Sequence, residues 1–157
     1  MKTLKSTVFI AYMLLIAFIG NSSHAAPPKA VAEIDNQQGL ALRGYDAVAY
    51  FTDGKATKGD AGISYQWHGV TYRFASQAHR EAFMTQPEHY APQYGGYCAL
   101  AVSENGTADG DPEQWAIVEG KLYLNYNGLA KSLWDKDRPG KIHVADGNWP
   151  KIPKTGN

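Results

Sequence analysis

Two stretches of this chain share one pattern, and it constrains the fold more than any other feature. In ISYQWHGVTYRFAS and EQWAIVEGKLYLNYN, β-branched and aromatic residues alternate on both sides of an X-Gly dipeptide, His68-Gly69 or Glu119-Gly120. Alternation at period two marks a half-buried strand, and Gly supplies the positive φ that a two-residue hairpin turn requires. In both stretches Tyr stands three residues after the Gly (Tyr72, Tyr123), and a large aromatic stands eleven residues after that Tyr (Phe83, Trp134). A polar residue suited to an N-cap, Ser76 or Asn127, then precedes a candidate helix, QAHREAFMTQ or GLAKSLWDKD. The expected fold class is α+β: a small single domain built from two β-hairpin–helix units. His79 of the first unit stands where the second has Ala130.

The N-terminus reads as a secretory signal peptide over residues 1–25. Lys2 and Lys5 precede the apolar run Val8–Gly20, and Ser23-His24-Ala25 offers small residues at a cleavage site. That run is shorter than the roughly 20 residues a bilayer core needs. Periplasmic or secreted location follows, with no membrane anchor after cleavage. About 130 residues would remain, enough for one core. Cleavage removes two of the 15 basic side chains and none of the 15 acidic ones, leaving a weakly acidic chain. No basic block occurs, so nucleic acid is not an expected partner. Cys98 is the only cysteine, so no internal disulfide can form.

The remaining segments are read as follows. Residues 26–38 are expected to be a flexible mature N-terminus, within which Val31–Asp35 reads as a short strand or a first helical turn; 39–150 form the domain, and 151–157 a tail. Ala47–Phe51 alternates as a strand does. Pro87 starts a turn or short helix. Tyr97–Val102 is taken as a helix, and the region of Pro139, Pro150 and Pro153 as mostly irregular. Trp67, Trp115, Trp134, Tyr72 and Tyr123 suit a core; the alternative is an aromatic-lined pocket for a planar ligand. No haem-attachment motif, nucleotide loop or Gly-x-Ser-x-Gly elbow is present.

In GVTYRFASQAHREAF…PEHY, the residues Tyr72, Phe74, Ser76, His79, Phe83, Pro87 and Tyr90 follow in order the pattern of the YHS domain, which this chain resembles. The longer set GYDAVAYF, GGYCALAV, DPEQW and GKLYLNYN resembles exported proteobacterial YHS-domain proteins over nearly all of residues 39–150. In that group the position of Cys98 can be selenocysteine, which implies a redox-active or metal-binding chalcogen there. Metal-binding relatives carry Cys where this chain has Ala49 and Ala75, and often where it has His79. A Cys-rich zinc knuckle with its closed set of four ligands therefore cannot be built, and any metal would need a different set.

The candidate site centres on Cys98, as a reactive thiolate or a soft ligand for Cu(I) or another thiophilic metal. Gly95 and Gly96 would supply backbone donors, and a helix starting at Tyr97 would stabilise a thiolate. His79 and Asp46 are the candidate metal ligands or partners of Cys98. The redox form needs an outside thiol or redox partner protein, since no second cysteine can resolve an oxidised sulfur. The rival reading is a non-catalytic binding or interaction module that uses its aromatic face and buries Cys98 as a packing residue. The sequence leaves open whether the protein is an enzyme.

Overall fold

The computed structural model describes residues 30–155. The signal-peptide segment lies outside the described residues. Among the described residues no helix is long and apolar enough to cross a membrane.

The described residues begin with three short strands, β1 (Val31–Ala32), β2 (Asn36–Gln37) and β3 (Leu40–Ala41), then a short helix α1 (Ala49–Thr52). The first hairpin follows as β4 (Asp60–Trp67) and β5 (Val70–Phe74), with helices α2 (Gln77–Thr85) and α3 (Pro87–Tyr90) behind it. The second half repeats the order: α4 (Ala99–Ser103), hairpin β6 (Asp111–Val118) and β7 (Lys121–Asn125), then α5 (Gly128–Asp135). Helix α6 (Arg138–Asn148) and strand β8 (Lys154–Thr155) follow.

The repetition extends to backbone detail. Both turn dipeptides have positive φ at both residues: 48° and 75° at His68-Gly69, 50° and 72° at Glu119-Gly120. That geometry matches the right-handed twist of the flanking strands. Both hairpins break register at the same place, between Asp60 and Ser64 in one and between Asp111 and Trp115 in the other. Ser76 Oγ accepts from His79 N at 3.1 Å, and Asn127 Oδ1 accepts from Ala130 N at 2.9 Å, so both caps form as expected. Tyr72 meets Phe83 at 4.6 Å between ring centroids, and Tyr123 meets Trp134 at 5.6 Å.

The likeness also covers the segment before each hairpin. Leu42-Arg43-Gly44 and Tyr94-Gly95-Gly96 are both three-residue runs of positive φ. Asp46 N then donates to Thr57 O, and Cys98 N to Ala108 O, both at 2.8 Å. A short helix follows each. Asp46 and Cys98 therefore occupy equivalent places in the two units.

One strand joins the halves. All of β7 after Lys121 is buried, and alternate side chains on a strand face opposite ways. Leu122 and Leu124 enter the hydrophobic cluster that holds Tyr50, Tyr72, Phe74 and Phe83. Tyr123 enters a second cluster with Tyr97, Cys98, Val102 and Trp134. Strands β2, β3, β5 and β4 form one sheet in that order, and β6 and β7 pair separately.

Three expectations need correction. Ala47–Phe51 is not a strand: Asp46 Oδ1 accepts from Val48 N at 2.9 Å and Ala49 N at 3.3 Å, which turns the chain into α1. Within the segment expected to be flexible, residues 31–37 are part of the fold. Strand β1 pairs in parallel with β8, Ile34 is buried, and Asp35 N donates to Gly95 O at 2.8 Å. The region of Pro139 is helical, because Pro is tolerated in a first turn and Asp137 Oδ1 accepts from Gly140 N at 3.0 Å.

Candidate functional site

Cys98 precedes α4, which begins at Ala99 rather than Tyr97, and its side chain makes no cap bond to the helix. The residue is 2% exposed. Its thiol donates to Asn125 Oδ1 at 3.7 Å, and the same oxygen accepts from Leu100 N at 3.3 Å. The Leu100 N–H identifies that amide atom as the oxygen. A thiol completes this contact; a thiolate would set two acceptors face to face.

Gly95 and Gly96 have a structural reason to be glycine. Both have positive φ, and a Cβ on Gly95 would collide with the carbonyl oxygen of Glu33. The segment after β1 thus lies against Gly95 and takes up its carbonyl through Asp35 N. Close approach of two backbones, rather than donation to Cys98, accounts for this glycine.

His79 and Asp46 do meet. His79 Nδ1 lies 2.7 Å from Asp46 Oδ2, which also accepts from Ala75 N at 2.8 Å. Asp46 is fully buried and His79 has 18% of its side chain exposed. The carboxylate fixes the proton on Nδ1 and leaves Nε2 toward Thr52 Oγ1 at 3.3 Å and Asp53 Oδ1 at 3.9 Å. The buried acid therefore orients a partly exposed imidazole.

The expected set of Cys98, His79 and Asp46 is not assembled as a metal site. Asp46 and Cys98 are counterparts in different units, and Ala130 stands where a second His79 would be. Among the described residues, no group of three or more His, Cys, Asp or Glu side chains could hold a metal. The Cys98 thiol is paired with Asn125 and the His79 ring with Asp46, rather than with each other.

A cleft lies at the junction of the units, and of the aromatic residues named for a pocket it uses Trp67, with Tyr94 and Trp149 added. Trp67, Tyr94 and Trp149 wall a cavity of about 310 Å³, with Glu88 and Asp146 also lining it. An adjoining space of about 130 Å³ shares Trp67, Ala91, Pro92 and Trp149, and adds Glu33 and His68. Trp67 was expected in the core, yet it is half-buried and faces this cleft. The tail's Trp149-Pro150 was the available signal for the other wall, since a Trp in a polar segment calls for a partner surface. His68 Nδ1 lies 3.8 Å from Glu33 Oε2, and Lys154 Nζ sits 3.7 Å from the centroid of the Trp149 ring. Comparison of the chain with family models, curated proteins and solved structures gives no match.

Proposed function

We propose that this chain is an exported, YHS-like binding module without catalytic activity, whose ligand site is the aromatic cleft between its two units. The observation that carries the reading is a contrast in exposure. Cys98 is sealed at 2% exposure with its thiol committed to Asn125, while Trp67 and Trp149 open onto a cavity. Pockets of this kind combine apolar walls with a few polar groups and sit at junctions between structural units.

Alkylation of Cys98 by iodoacetamide in the folded protein tests it. The expected result is no modification until denaturant is added, alongside ligand-dependent shifts of the Trp67 and Trp149 indole signals in NMR spectra. Stoichiometric native alkylation would overturn the packing role of Cys98.

One observation favours redox chemistry at Cys98 as a second reading. Among the described residues, Asn125 Nδ2 and Trp134 Nε1 are buried donors with no partner; Asn125 accepts from the Cys98 thiol, and Trp134 belongs to the same hydrophobic cluster as Cys98. Buried unpaired donors are uncommon in native proteins and can serve a group formed transiently. A peroxide would convert the thiol to a sulfenic acid with release of water, and the added oxygen could accept from such donors. Dimedone trapping after brief peroxide exposure separates the readings: a Cys98 adduct in folded protein supports redox chemistry, and its absence supports packing.

A further inference from the structure

We infer that the cleft takes a small organic cation, with a methylated ammonium group as its recognised chemistry. The inference rests on the binding-module reading above and adds the charge and shape of the ligand.

Three features point the same way. The walls are aromatic: Trp67, Tyr94 and Trp149. The faces of such rings carry negative charge density that attracts a cation, and a weakly hydrated methylated ammonium loses little by leaving water. The charged side chains lining the larger cavity are Glu88 and Asp146, and the nearby cation is Lys154, over the Trp149 ring. The adjoining space adds Glu33, which also faces His68. The three carboxylates outnumber the one ammonium, Lys154, so the cleft favours a positive ligand, and an anion would meet carboxylates.

The third feature is already present in the molecule. Lys154 Nζ stands 3.7 Å from the Trp149 centroid and donates to Trp149 O at 3.0 Å and Ile152 O at 2.8 Å. Trp149 thus accepts an ammonium of the chain itself, and a ligand cation would share this wall with Lys154. Asp146 is positioned by Tyr94, whose hydroxyl donates to Asp146 Oδ1 at 2.8 Å. One carboxylate is thereby held beside an aromatic wall. A volume of about 310 Å³ is at the small end for ligand pockets, which suits a compact cation rather than a polymer.

The test compares choline with its uncharged carbon isostere, 3,3-dimethyl-1-butanol, on the whole protein. The readout is the NMR shift of the Trp67 and Trp149 indole N–H signals during titration. Choline is expected to move both signals and to bind about tenfold more tightly than the isostere. Glu88→Gln, at an exposed position, is expected to weaken choline several-fold and leave the isostere unchanged. Equal binding of both probes would overturn the cation inference while the cleft remained a binding site. If neither probe moves the indoles, the cation inference fails. The binding-module reading fails with it only if a set of neutral and anionic planar compounds also leaves both signals unmoved.

Discussion

Asp46 serves four donors from a site closed to water: the backbone N–H groups of Val48, Ala49 and Ala75, and the His79 ring. Asp46→Ala would leave those backbone donors unpaired in the interior. The expected cost is about 3 kcal/mol in urea unfolding. His79→Ala leaves the carboxylate its backbone partners and is expected to cost less, about 1–2 kcal/mol. A larger loss for His79→Ala than for Asp46→Ala would contradict this ranking. Asp35 makes a different prediction. Burial raises its pKa from 3.8 to about 6, aided by Asp109 and opposed chiefly by the Gly110 N–H, with smaller lowering by Arg43 and Gln37. The native state then holds this proton more tightly than the unfolded chain does. Its contribution to stability is full below about pH 4 and is lost as pH rises through about 6. Asp35→Asn can keep an acceptor for Gly110 N, 2.9 Å away in the native structure, and should flatten that decline. Relative to the wild type, the variant should gain about 1–2 kcal/mol between pH 4 and pH 7. Thermal unfolding of both proteins across that range checks it. At this scale the sequence pointed to Asp46 and His79, but not to Asp35. Nothing in its neighbours signals that the Asp35 carboxylate is buried against Gly110.

The hairpins and their caps were legible because each depends on local chemistry: alternation, a Gly in the turn and a polar residue before the helix. The turn at Glu119-Gly120 invites a direct test. Glu119 adopts φ of 50°, a region that Asn tolerates better than Glu. Glu119→Asn is expected to stabilise the protein by about 0.5 kcal/mol, read as a higher denaturation midpoint with unchanged slope. Helix α1 was not legible, since AVAYF alternates as a strand does and the deciding contact is the return of the Asp46 side chain to its own backbone. Helix α6 was hidden by Pro139, Gly140 and Gly147, which lower intrinsic propensity. It forms because it docks. Ala145 is buried, and Asn148 Nδ2 donates to Val102 O and Ser103 O at the end of α4. Tertiary contact overrides propensity there, and no local pattern could report it.

In the whole molecule, the two units share β7, so neither has a complete core alone. Leu122→Ala should therefore destabilise both halves together, by about 2–4 kcal/mol. Unfolding followed by near-ultraviolet circular dichroism and by tryptophan fluorescence should give one coincident transition; separate midpoints would show that the halves unfold independently. The two-unit architecture was readable from the paired Gly-to-Tyr and Tyr-to-aromatic spacings. The candidate site was not, because the repeat distributes its members. Aligning GYDAVAY with GYCALAV sets Cys98 against Asp46, which places the thiol in one unit and the acid–imidazole pair in the other. The parallel pairing of β1 with β8 has a consequence for timing. The earliest strand described here finds its hydrogen-bond partner only at Lys154 and Thr155. A chain emerging N-terminus first must hold that strand in waiting until residues 154 and 155 have emerged, so closure of the fold comes only after both hairpins and α6 are available.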